Sequence, residues 1–310
     1  MNYTEFMNAM LCEIRGQVDA QVRTELYTVT KNNGTRRTGI LFKQEDSNLA
    51  PTIYLEEFYQ KYLKGQQVPD LADSICSIYQ EIRVKKTCDC QNLFDFNHVK
   101  EHIVYKLIRR DANEELLKQI PYEPFLDLAV VYYIQIDNTR FGSATIQIRN
   151  EHLRYWRVEK EEIRRLAEKN TPRIYPVQIR QIVRFMYVAT NEQCSLGAAV
   201  MRYPDFRKKV RGMIRGDFYI LPSSIHEVIL VPESFGLEPE RMQEMVKEIN
   251  TNQVDQEEQL SDHVYKYDAQ TKTLSLADVS VEDLKISRVS ENKMSYEAEI
   301  TEPVRPRHHR

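Results

Sequence analysis

The sequence predicts an α+β fold: a mixed or mostly antiparallel sheet with helices packed on it and a central strand near residues 225–231. Three observations carry that expectation. β-rich runs occur in neighbouring pairs joined by short turns, the connection that antiparallel strands use. Between the pairs lie runs with apolar residues three and four apart, the spacing of an amphipathic helix. The Gly-rich loops that mark dinucleotide-binding and P-loop folds are missing.

The central strand rests on residues 216–232. The run 217–221 is aromatic and β-branched, Pro222, Ser223 and Ser224 supply turn chemistry, and 225–231 is closed by Pro232. Strand alternation puts Ile225, Glu227, Ile229 and Val231 on one face and His226, Val228 and Leu230 on the other. Both faces are apolar beyond the first pair, so the strand is expected to be covered on two sides.

In chain order, residues 5–18 read as a helix through Phe6, Met10, Leu11 and Ile14. Residues 26–30 and 38–42 read as a hairpin about the Asn33-Gly34 turn. Pro51 and Thr52 open a helix that Gly65 stops, and a second apolar stripe runs from Val68 to Ile82. Val99, Ile103 and Leu107 predict a helix over 97–109, with a short one over 113–120. Residues 126–136 read as an interior strand paired with 143–148, followed by helices from Asn150 and over 159–169 that Asn170, Pro172 and Pro176 end. A strand pair is expected at 183–190 and 196–202, a helix from Pro204 to Ile214, a helix over 239–252, and a last hairpin at 263–267 and 272–276. These elements suggest a helix-rich N-terminal lobe with a β-hairpin (1–120), an α+β C-terminal lobe (121–276) and a weakly structured tail (277–310).

Composition narrows the class. At 310 residues, with 29% charged and 42% hydrophobic, the chain is long enough to bury a sizeable core. A net charge of −3 gives no bulk attraction to nucleic acid or an anionic membrane, so such a partner would need a local basic patch. Five scattered cysteines, no signal-peptide pattern and no apolar window of spanning length predict reduced thiols, no membrane partner and a cytoplasmic location.

Three constellations carry chemistry. Ser223, Ser224, His226, Glu227, Asp262 and His263 would suit metal-dependent or acid–base catalysis, hydrolase-like in kind, if the last hairpin lies beside the central strand. The same residues also suit a hydrogen-bonded turn and strand start. Cys88, Cys90, His98 and His102 offer four metal-ligand types, with both histidines one helical turn apart. Arg207, Lys208, Lys209, Arg211 and Arg215, with Arg202 before them, form a basic helix face that would meet phosphates or be simply solvated.

Several words of the sequence resemble one family. They are Phe125-Leu126-Asp127-Leu128-Ala129, Asn170-Thr171-Pro172-Arg173, Met186-Tyr187-Val188, Gly197-Ala198, Tyr203-Pro204, the run from Phe218 through Pro222-Ser223-Ser224-Ile225-His226-Glu227 to Val228, and Leu260-Ser261-Asp262-His263-Val264-Tyr265. Together they resemble the bacterial domain-of-unknown-function family numbered 5688, over most of residues 20–276. The resemblance implies a bacterial intracellular protein and supplies no catalytic residue or cofactor. The expectation is therefore a non-enzymatic binding or accessory module with a protein partner; an enzyme built on the His/Glu/Asp cluster, or a nucleic-acid accessory protein using the basic helix, are the alternatives.

Overall fold

The computed structural model describes residues 1–44, 50–85, 95–139 and 142–277. All but the first residue of the expected tail falls outside them. The N-terminal part comprises α1 (Tyr3–Gln17), β1 (Val22–Thr30), β2 (Arg36–Gln44), β3 (Thr52–Tyr54), α2 (Glu56–Leu63) and α3 (Val68–Lys85). Asn2 and Glu5 form a reciprocal capping box that starts α1, worth about 1 kcal/mol for the Asn2 cap. Phe6, Met10 and Ile14 then turn inward to meet Ile40 and Phe42 of β2 and Leu71, Ile75 and Tyr79 of α3. The strands pair in the order β1-β2-β3, all antiparallel.

The rest of the chain continues through α4 (Phe96–Val99), β4 (Ile103–Arg109), α5 (Glu114–Leu117), β5 (Tyr122–Phe125), β6 (Leu128–Thr139), β7 (Gly142–Gln147), α6 (Asn150–Trp156) and α7 (Lys160–Ile174). It ends with β8 (Val177–Val183), β9 (Met186–Asn191), α8 (Phe206–Met213), β10 (Phe218–Leu221), β11 (Val228–Pro232), α9 (Pro239–Asn252), β12 (Tyr265–Asp268) and β13 (Thr273–Leu276). The fold is α+β as expected, but its strands form three antiparallel sheets among the described residues where one was anticipated. β4, β5 and β7 gather around β6, and a six-stranded sheet runs β13-β12-β10-β11-β9-β8. The sheet around β6 crosses residues 120 and 121, where a lobe boundary was expected.

The central strand is found, with β10 on one side of β11 and β9 on the other, but it begins at Val228: Ile225, His226 and Glu227, expected as its first residues, form a bend held by the carbonyl of Glu258 and the side chain of Ser224. Val228 and Leu230, with Phe218 and Ile220, face the largest core, which also takes in Tyr105, Leu107, Val130 and Tyr132 of the neighbouring sheet. Val231, Tyr219 and Leu221 face the other way, under Met242 and Val246 of α9. Burying each large apolar side chain here contributes about 1.5–3 kcal/mol.

Several elements differ from the pattern: β5 and β8 were not anticipated, β8 taking the place of 196–202 as the hairpin partner of β9, and four others changed type or extent. Residues 103–109 are a strand, because Ile103, Tyr105 and Leu107 alternate with Val104 and Ile108, and both sets are buried in separate cores. Val99, Ile103 and Leu107 fit either period, and the β-branched run between them decides it. Residues 197–202 are a 3₁₀ helix rather than a strand: Leu196 is left-handed (φ 54°), and a Cβ on Gly197 would run into Thr190 and the His226 carbonyl. Thr52 belongs to a three-residue strand, and the helix starts after Leu55. α7 runs through Pro172 because tertiary bonds hold its last turn: Asn170 donates to the carbonyls of Lys100 and Ile103, and Thr171 accepts the Tyr105 N–H.

The tip of the β1–β2 hairpin joins the two parts of the chain. Asn33 there is buried and left-handed (φ 55°). Its Nδ2 donates to the carbonyls of Gln256 and Gln259, both at 2.7 Å, and its amide and Oδ1 exchange bonds with the Asn113 side chain at 2.9 Å each. Arg37 closes the seam with a bidentate pair to Glu257.

Candidate functional site

The polar set separates into two nodes. Around β11, the His226 N–H donates to Ser224 Oγ at 3.1 Å, and His226 Nδ1 accepts the Leu196 N–H at 3.2 Å. With Nδ1 accepting, Nε2 carries the ring proton and faces Glu258 Oε1 at 3.3 Å. Ser223 gives its carbonyl to the Leu260 N–H, and Glu227 is exposed. The second node holds Asp262, which accepts from Arg109 Nη1 at 2.7 Å and Asn250 Nδ2 at 2.8 Å. Burial alone would raise the Asp262 carboxyl, but those two donors outweigh it and hold the group below the usual carboxylate range. The His263 N–H donates to Ser261 Oγ, whose own proton goes to Asp127 Oδ2 at 2.6 Å, while the Tyr265 hydroxyl donates to Asp127 Oδ1 at 2.6 Å.

His226 and Asp262 thus share no partner in these nodes. What the nodes do is stitch: Asp127 ties residues 261–265 to the turn before β6, and His226 and Gly197 bring the 3₁₀ segment against the start of β11. Asp127, Arg109 and Glu258 were not anticipated. The signal for Asp127 was the Phe125–Ala129 word, which names the residue without its partner.

His98 and His102 are exposed, one in α4 and the other in the 3₁₀ turn after it, while Cys88 and Cys90 lie outside the described residues. Among the described residues, no three His, Cys, Asp or Glu side chains stand close enough to hold a metal ion.

The basic helix builds a different kind of site. Phe206 and Val210, one turn apart, are fully buried and fix α8 on the main core, so Arg207, Lys208 and Arg211 point away from it. β12 lies beside β10, which sets Tyr267 opposite Phe218 and carries the β12–β13 turn up to the helix. Between helix and turn is a groove of about 460 Å³, lined by Arg207, Lys208, Arg211, Gly212, Tyr267 and Lys272. Arg207 lies 5.8 Å over the Tyr267 ring and donates to the Lys272 carbonyl at 3.1 Å.

The acids nearest this turn are already engaged. Asp268 accepts the N–H groups of Gln270 and Thr271, and the Thr271 bond first of all holds its carboxyl below the ordinary value. Asp217 accepts the Ala269 N–H and faces Lys266. Among the described residues, Arg207, Lys208, Arg211 and Lys272 have no carboxylate partner. Lys209 and Arg215 are exposed but outside the lining. Arg202 is neutralised by Glu168 at 3.1 Å and Glu123 at 3.8 Å. Lys272 and Tyr267 were missed in the sequence, being more than fifty residues from the helix.

Fold and groove define an α+β protein that, among the described residues, has three antiparallel sheets and presents a cationic surface without carboxylate partners beside an aromatic floor. The chain belongs to the Family of unknown function (DUF5688), whose profile matches residues 3–186 and 183–269. No curated protein and no solved structure was found to match it. Among the described residues, no helix is long and apolar enough to cross a membrane.

Proposed function

We propose that this chain is a non-enzymatic binding module and that its groove between α8 and the β12–β13 turn holds the phosphate backbone of a nucleic acid. One observation carries the reading: four cations without carboxylate partners converge on one depression of a chain whose net charge is −3. Phosphate contacts of this kind give affinity with little sequence preference, because lysine and arginine read charge and not base edges. Tyr267, almost fully buried and under Arg207, serves as floor and cation holder and not as a base-stacking platform. The free thiols of Cys12, Cys76 and Cys194 support the reducing, cytoplasmic setting that goes with this role. The polar nodes at His226 and Asp262 support it too, since their hydrogen bonds are made to the chain's own fold.

Fluorescence anisotropy with labelled 20-nucleotide single strands and duplexes, of DNA and of RNA, tests the reading. Binding should weaken with salt at a log–log slope of about −3.6 on duplex DNA, from roughly 0.9 for each of the four cations. The double variant Lys208→Glu, Arg211→Glu should lose tenfold or more. Absence of binding at 50 mM salt, or affinity unchanged in the double variant, rejects the proposal.

A further inference from the structure

β8 is the last strand of the six-stranded sheet and pairs with β9 alone. Among the described residues its backbone makes no other strand-type bonds, so its outer row of N–H and C=O groups is open. Such an edge is a template for another chain unless something blunts it. Residues 180–185 are all exposed, and Ile182 and Val183 are each 54% accessible within a β-branched run. The Phe185 ring, on a left-handed turn residue (φ 69°), meets the Phe235 ring at 5.8 Å and extends the apolar surface past the end of the strand. α9 does not cover this region, for its buried contacts are with β10 and the end of β11.

We propose that β8 accepts an extended segment of a partner protein as a seventh strand, one that carries two acidic side chains four residues apart with apolar side chains between them. The occupant follows from charge. Residues 177–185 contain no Asp or Glu, and Arg180 and Arg184 have no carboxylate partner among the described residues. Arg180 reaches only Cys194 Sγ, at 3.9 Å, and Arg184 lies 4.9 Å over the Phe185 ring. A second copy of the chain fits badly: antiparallel pairing centred on β8 would set Arg180 against Arg180, and like charges directly opposite are destabilising. An incoming strand with Asp or Glu facing Arg180 and Arg184, and Val, Ile or Leu facing Ile182 and Val183, satisfies charge, apolar surface and open backbone together.

The test is selection of a phage-displayed library of random 16-residue peptides on the full chain. Enriched peptides should carry an apolar pair flanked by acidic residues, and the best of them, made synthetically, should protect amides within 177–183 from hydrogen exchange. N-methylating alternate amides of that peptide should abolish binding on one of its two edges only, the mark of strand addition. Arg180→Glu, Arg184→Glu should weaken it at least tenfold and gain affinity for the same peptide with Lys at each acid. Lys208→Glu, Arg211→Glu should leave peptide binding unchanged, which keeps this surface separate from the groove. No enrichment, peptides insensitive to the Arg180 and Arg184 reversal, or outward amides of 177–183 already protected in the free chain would each overturn the proposal.

Discussion

Lys106 carries a charge that the fold penalises. It sits in β4 between Val104 and Ile108, each in a small buried cluster, and its Nζ lies 5.7 Å from the Tyr133 ring. Burial pushes its amine down to about 8, Lys31 adds to the shift, and Glu257 opposes it. A lysine depressed in the folded state binds fewer protons there than in the unfolded chain, so stability rises as pH climbs from about 8 towards the unfolded value. Lys106→Met should therefore stabilise the fold at pH 7 by on the order of 1–3 kcal/mol. That advantage should shrink by pH 10, where the native amine is already neutral. Urea denaturation at the two pH values checks it, and an equal advantage at both would mean the charge is not the cost.

At the scale of elements, the β12–β13 turn sets a local cost against a role. Lys272 is left-handed (φ 59°), a conformation that costs a non-glycine residue about 1–2 kcal/mol. Lys272→Gly should raise stability by up to about 1 kcal/mol while weakening nucleic-acid binding several-fold. Thermal melts and anisotropy on the same sample measure both, and a variant that is more stable and binds unchanged would remove Lys272 from the groove. How far such elements were legible depended on how local their signal was. β11 could be read because apolar residues at every position between Val228 and Val231 leave no wet face. β4 was misread, since Val99, Ile103 and Leu107 satisfy two periods and the β-branched and aromatic run over 103–108, buried on both sides of the sheet, is what chooses between them. The cationic face of α8 was readable from Phe206 and Val210, but Tyr267 and Lys272 reach it through a β10–β12 pairing that no local pattern announces. His226 stood out as a polar exception in an apolar run, whereas Glu258, its partner, comes from a 3₁₀ turn with no periodicity at all.

For the whole molecule, the seam at Asn33 matters most, because the contacts it makes there are polar while each side keeps its own apolar core. Asn33→Gly preserves the positive φ and removes only the side chain, leaving the carbonyls of Gln256 and Gln259 without that donor. The expected cost is about 2–3 kcal/mol. Calorimetry should then resolve two transitions in place of one coupled unfolding, whereas a single sharp transition would show that other contacts join the halves. The spans involved also set a timetable. Asn33 meets its acceptors across 223 and 226 residues of chain. A ribosome adding roughly 5–20 residues per second would finish the first 85 residues on the order of ten seconds or more before the receiving loop exists. During that wait the Asn33 Nδ2 at the hairpin tip lacks its two acceptors and is exposed to solvent and to every chaperone at the tunnel exit, and the seam can close only once residues 256–259 have been made.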